Sequence, residues 1–179
     1  MTSHTIELID QLISEHRSIN ERTAELQQYA NDAVVLNELD EARESFMPGR
    51  FDAREGLKKL NEMMKEIASF IGRHFNHEET ILLEAVEELN DLEIVSAFNG
   101  LLMEHSYLKT RLGRVRELID DLKSGSLTRQ HWNSSAHDLK AYLNHTRKLL
   151  AIHAASETTL FIELRRHLLD RLSQGEQTS

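Results

Sequence analysis

The chain has 179 residues, 40% of them hydrophobic and 28% charged, with a formal net charge of −9. Such a length buries one good core and is short for two large domains, and the acidic balance argues against a sequence-independent grip on nucleic-acid backbones, which needs clustered Lys and Arg. Cysteine is absent, which excludes disulfides, thiolate nucleophiles, zinc ribbons and thiolate-held iron-sulfur clusters and leaves any metal chemistry to His and carboxylate.

The opening "MTSHTIELIDQ" lacks a basic stretch followed by an apolar run. Nowhere do about 18 uninterrupted apolar residues occur, so a cytoplasmic, soluble protein without a membrane partner is expected. One Pro and seven Gly leave room for long helices, and four segments carry apolar residues at three- and four-residue spacing while strand-like alternation is missing. The first predicted helix runs from about residue 5 to the mid-thirties, with Ile6, Ile9, Ile13, Ile19, Thr23 and Leu26 on its stripe. A mixed stretch over 32–53 follows, readable as a helical extension, a lid or an interaction surface, and Pro48 and Gly49 punctuate it. The second helix spans about 53–89 through Leu57, Leu60, Met64, Ile67, Ile71, Leu82 and Ala85. Beyond "NDL" the third uses Val95, Phe98, Leu102, Leu108, Leu112, Val115 and Leu122. "SGSLT" breaks the chain before the fourth, whose stripe includes Leu139, Tyr142, Leu149, Leu160, Leu164 and Leu168. Four long helices with mostly short connections predict an all-α, antiparallel up-down four-helix bundle over 1–173, with a disordered polar tail at 174–179.

The unusual residues fall on those apolar stripes. His16 lies three residues from Ile13 and Ile19, His74 three from Ile71, His105 three from Leu102 and Leu108, and His153 four from Leu149. Glu78 and Glu157 each follow a His by four residues and so share its inward face. An unpaired buried carboxylate costs several kcal/mol, so this set needs either mutual hydrogen bonding or a cation. At about 1.5 Å per helical residue, the positions in an up-down bundle come to similar heights, about 17–22 Å from one end, so all six side chains converge on one layer.

An internal repeat points the same way. "EHRSINER" (15–22) parallels "EHSYLKTR" (104–111), and "EETILLE" (78–84) parallels "ETTLFIE" (157–163). Each half of the chain supplies a His and then a His-x-x-x-Glu pair. Two such half-sites facing across a pseudo-twofold axis suit a dinuclear centre bridged by two carboxylates.

With "EH" on the first and third helices, "HFNHEE" on the second and "HAASE…LF" on the fourth, nearly the whole chain resembles the hemerythrin-like family, whose bundles hold a non-heme di-iron centre. The resemblance implies His16, His74, His105 and His153 as terminal ligands and Glu78 and Glu157 as bridges. It further implies two Fe ions sharing an oxo or hydroxo group; by ligand type alone Mn or Zn is also accommodated. The oxygen-carrying members resembled have a fifth His where Lys109 stands and a His-x-x-x-x-Asp pattern in place of His-x-x-x-Glu. The four-His, two-Glu set is more similar to repair-of-iron-centres proteins linked to nitric oxide stress and to the iron- and oxygen-sensing domain of an F-box ubiquitin-ligase subunit. The former usually carry an N-terminal Cys-containing segment that is not in this sequence. If each iron takes two His nitrogens, two bridging Glu oxygens and one shared oxygen, about one octahedral position on each stays open.

This resemblance implies a protein that binds or responds to O2, NO or iron. The alternatives are a redox enzyme consuming NO or peroxide, which would need an electron donor, and an iron donor to an iron-sulfur apo-protein. No flavin, nicotinamide or phosphate-binding motif is present, and Ser-His-Asp or Cys-His catalysis has no support. Other residues take plainer readings. His77, about 60° around the helix from His74, sits beside a ligand or at the surface; His145 lies two turns before His153, at the core edge or outside. Lys109 either lines the pocket or extends to solvent, and Glu79, Glu15 and Glu104 either orient a ligand His or are solvated. Tyr107, Tyr142 and Trp132 read as packing residues, and His4, His131, His137 and His167 as exposed.

Overall fold

The computed structural model describes residues 2–31, 55–123 and 128–176. The stretch 32–53 with Pro48 and Gly49, the "SGS" break and the Trp132 side chain lie outside the residues whose placement is described. Helix α1 covers Thr2–Ala30. Helix α2 (Glu55–His77) passes through a π-helical turn (Glu78–Leu82) into α3 (Leu83–Glu87), and these three form one rod. Helix α4 covers Leu92–Lys123 and α5 covers Arg129–Glu176. The fourth rod therefore stays helical through Glu176, and only 177–179 of the expected tail lie beyond the description.

Each rod packs against the next one in the chain, and α1 closes the square against α5. The apolar clusters show that successive rods run in opposite directions. Leu8, Ile9 and Leu12 from the start of α1 meet Leu82, Val86 and Leu89 from the end of the second rod, Ile94 and Phe98 from the start of α4, and Leu164 and Leu168 from late α5. At the other end Leu26 and Ala30 join Leu57, Leu60, Met64, Leu118, Ile119, Leu122, Ala136 and Leu139. The architecture is the antiparallel up-down four-helix bundle, and its core is split into two apolar blocks.

The turn between the second and third rods explains itself locally. Asn90 takes a left-handed conformation, φ 57°, which Asn tolerates better than most side chains and which ends a helix. Asp91 then caps α4, its Oδ1 accepting from the N–H groups of Glu93 at 3.1 Å and Ile94 at 3.3 Å. The freed carbonyl of Leu89 receives a 2.8 Å bond from the Arg171 guanidinium.

All four stripes differ from expectation in places: Ile6 and Ile13 on the first and Val95 and Leu102 on the third are only half buried. Tyr142 and Leu149 are only half buried, and Leu143, Thr146 and Leu150 face inward instead. Counting back from His153 in steps of three and four reaches 150, 146, 143 and 139, which is the helical repeat; Tyr142 and Leu149 lie one residue out of phase. In the second rod Val86 is buried where Ala85 was expected. No described helix is long and apolar enough to cross a membrane.

Leu12 is fully buried and Leu92 is 83% exposed. Leu12→Ala is expected to cost about 2–5 kcal/mol through lost burial and cavity formation. Leu92→Ala should stay within about 0.5 kcal/mol. Urea midpoints read by circular dichroism check both.

Candidate metal centre

Between the two apolar blocks lies a polar layer. All four rods contribute: His16 from α1, His74 and Glu78 from the second rod, His105 from α4, and His153 and Glu157 from α5. None of the six is more than 3% exposed. The structure thus brings together every residue singled out in the sequence for this site.

The imidazoles turn their Nε2 atoms inward onto the two carboxylates. His74 Nε2 lies 3.1 Å from Glu78 Oε1, and His16 Nε2 lies 3.1 Å from Glu157 Oε2 and 3.6 Å from Glu78 Oε1. On the other side His153 Nε2 is 3.0 Å and His105 Nε2 is 3.1 Å from Glu157 Oε1, and His105 Nε2 also stands 3.3 Å from Glu78 Oε2. Each glutamate therefore reaches both pairs of histidines. The donor atoms of His16, His74, Glu78 and Glu157 lie within 4.8 Å of one another, as do those of His105, His153 and Glu157.

Despite this closeness, His16 Nε2, His74 Nε2, His153 Nε2, both Glu78 oxygens and Glu157 Oε2 have no hydrogen-bond partner. A buried polar atom left unsatisfied costs about 1–3 kcal/mol. Three orphaned nitrogens and three orphaned carboxylate oxygens, gathered with His105 Nε2 in two clusters, fit a pair of cations with borderline to hard preference, such as Fe, Mn or Zn.

The outward ring nitrogens are also held. His74 Nδ1 donates to Glu15 Oε2 at 2.8 Å, His105 Nδ1 to Glu79 Oε1 at 2.9 Å and His153 Nδ1 to Glu104 Oε2 at 2.9 Å. His16 Nδ1 donates to Thr158 Oγ1 at 2.8 Å, and that hydroxyl donates onward to the Ala154 carbonyl at 2.7 Å. A carboxylate can only accept, so each bond keeps the Nδ1 proton in place and presents Nε2 to the interior. Glu15, Glu79 and Glu104 are therefore orienting groups. The sequence offered a signal for them: each sits immediately beside a proposed ligand.

Charge follows geometry. Burial opposes ionisation of Glu157, but the imidazoles of His105, His153 and His16, whose Nε2 atoms approach it to 3.0–3.1 Å, prevail and hold its carboxyl well below the usual range. Burial likewise opposes ionisation of Glu15 and Glu79. Gln11 and His74 outweigh it at Glu15, and Lys109 and His105 outweigh it at Glu79, so both are lowered. Burial disfavours a charged His16, yet contacts with Glu157 and Glu78 raise it to about 9; His153 is raised by Glu157 and Glu104 against the same opposition.

Aromatic rings wall the layer. Phe75 stacks on His105 at 3.8 Å between centroids, and Phe161 stacks on His16 at 5.5 Å. Neither Phe was singled out in the sequence. Lys109 is 44% exposed, binds Glu79 at 2.7 Å and lies 5.7 Å from the Phe75 ring centroid. His77 is half buried with Nδ1 unpartnered, and His145 is exposed and accepts from Arg111 at 3.2 Å. Tyr107 accepts from the same guanidinium at 3.1 Å, and Tyr142 packs beneath it at 4.0 Å. His4, His131 and His137 are exposed, whereas His167, expected at the surface, is half buried.

A four-helix bundle with a buried His and Glu layer of this kind is a cation-binding bundle. Residues 8–164 match the hemerythrin family, described as the Hemerythrin HHE cation binding domain, and the chain belongs to that family. No curated protein and no solved structure matches it.

The raised His16 makes a signed prediction. In the cation-free protein its charged form stabilises the fold fully below its ordinary value of 6.5, and that contribution disappears as pH rises through about 9. The urea midpoint of cation-free protein is expected to fall across that window, and His16→Gln should flatten the fall. Because a ligand His must be neutral, cation loading near pH 7 should release a proton that an indicator dye detects, and this release should fade above about pH 9.

Proposed function

We propose that this chain is a non-heme di-iron protein whose centre binds or responds to O2 or NO, with peroxide as a further small ligand. His16 and His74 would hold one ion, His105 and His153 the other, with Glu78 and Glu157 spanning the two. The observation that carries this reading is the set of orphaned, inward-facing donor atoms on side chains that are at most 3% exposed. Iron rests on family membership together with the mixed imidazole and carboxylate donor set, which iron accepts.

What the residues do around such a centre supports a small ligand. Burial of the whole layer, with none of the six side chains more than 3% exposed, favours small molecules over large substrates. Phe75 and Phe161 present apolar faces beside His105 and His16, which suits a neutral gas better than a charged substrate. Lys109 contributes an ammonium engaged by Glu79 at the position where the oxygen carriers have a further His, so that position adds no fifth imidazole. Glu15, Glu79, Glu104 and Thr158 hold the four rings in one tautomer and orientation through changes of charge at the centre. A bound iron pair would supply one-electron redox change and Lewis acidity.

Metal analysis of anaerobically purified protein is expected to return about two irons per chain, and both His74→Ala and Glu157→Ala should lose a substantial share. Full retention in both variants would contradict the ligand assignment. With iron loaded, an absorbance change on exposure to O2 or NO, without turnover, is expected. Sustained consumption of NO or peroxide with an added electron donor would instead favour a redox enzyme, and transfer of iron to an iron-sulfur apo-protein would favour an iron donor.

A further inference from the structure

The bonds to the four outward ring nitrogens form a closed circuit around the bundle. Glu15 on α1 holds His74 on the second rod, Glu79 there holds His105 on α4, Glu104 on α4 holds His153 on α5, and Thr158 on α5 holds His16 on α1. The internal repeat relates Glu15 to Glu104 and Glu79 to Thr158. The first pair matches in chemistry. The second does not, because Glu79 offers a carboxylate oxygen and Thr158 a neutral hydroxyl.

We propose that the two halves of the layer bind cations unequally, with the His105 and His153 half loading first and more tightly, and with Glu79 and Thr158 as the positioning residues that set this order. The inference rests on the two-cation reading above. Both halves draw on the same two central carboxylates, since His105 Nε2 reaches Glu78 Oε2 at 3.3 Å and His16 Nε2 reaches Glu157 Oε2 at 3.1 Å. The inner donors do not favour this order, since four donor atoms gather within 4.8 Å at His16 and His74 and three at His105 and His153; the outer acceptors set it. In the His105 and His153 half both rings lean on carboxylates, which make an imidazole a stronger electron-pair donor and add negative charge near the ion. In the other half only His74 does, and the hydroxyl on His16 carries no charge.

Lys109 opposes this ordering, because its ammonium sits on Glu79 at 2.7 and 3.0 Å. The carboxylate still prevails. It contacts His105 directly at 2.9 Å, whereas Lys109 stands beyond it and is 44% exposed, where solvent screens it. A second difference also separates the halves: a π-helical turn begins at Glu78, whereas α5 runs through Glu157 as regular helix.

The test is an anaerobic titration of cation-free protein with Co2+, followed by absorbance and by hyperfine-shifted imidazole N–H resonances. Wild type should take up two ions in two steps whose affinities differ about ten- to a hundred-fold, the range that loss of an outer partner commonly costs. At one equivalent the shifted resonances should come from His105 and His153. Thr158→Glu should tighten the weaker step by about tenfold and leave the stronger one in place. Glu79→Thr should weaken the stronger step until the two merge, and Glu79→Asp should restore much of the separation. Unchanged helicity by circular dichroism controls for folding, which partly exposed Glu79 makes easy to satisfy. Two equal steps in wild type, first shifts from His16 and His74, or equal weakening of both steps by Glu79→Thr would each overturn the inference and leave the two-cation reading standing. Total uptake below two ions would overturn that reading, and this inference with it.

Discussion

A layer of ionisable side chains buried between two apolar blocks is the constraint on which this molecule turns. Carboxylates and imidazoles deep in a bundle lose their hydration, and close contact among themselves satisfies only part of what they lose. Glu78 illustrates the remainder: it is fully buried with three imidazoles nearby, and neither oxygen has a hydrogen-bond partner. An apolar layer at this height would pack more cheaply. The layer is therefore an outlay of stability on function, and a cation is what restores the balance.

Rigidity around the layer comes from residues adjacent to the ligands in sequence. On a helix, the neighbour of an inward-facing residue points about 100° away, toward the seam with the adjoining rod. Glu15, Glu79, Glu104 and Thr158 use that direction to reach a His on the next helix, so each rod orients its neighbour's ligand. The arrangement ties the site to bundle assembly, because no rod can shift without releasing a ring. It also explains why "EH" recurs at 15–16 and 104–105, with the His facing inward and the Glu facing a His across the seam.

Much of the site was legible because helical periodicity converts spacing directly into direction. His16, His74, Glu78, His105, His153 and Glu157 could be placed on inward faces and at a common height by counting, and the structure gathers them there. Counting failed where several apolar residues compete for one stripe. In "YLNHTRKLLAIH" either Leu149 or Leu150 continues a plausible apolar face, and only packing against α1 and α4 selects Leu143 and Leu150. The orienting acids were left ambiguous for a related reason. Glu15 and Glu104 look like any surface carboxylate until the facing helix is in place, because the partner of each is a His about 50 or more residues away in the chain.

By itself the sequence determined the helical class, the order of four rods, the inward set of His and Glu and the doubling of that set in the two halves. All of these are consequences of local periodicity, which a single chain displays in one dimension. Only the tertiary structure decided which outer acceptor meets which ring, which Leu enters the core of the fourth rod, and that Phe75 and Phe161 wall the layer. Those choices depend on the rotation and offset of one helix against another, and these are set by side-chain interlocking between segments far apart along the chain.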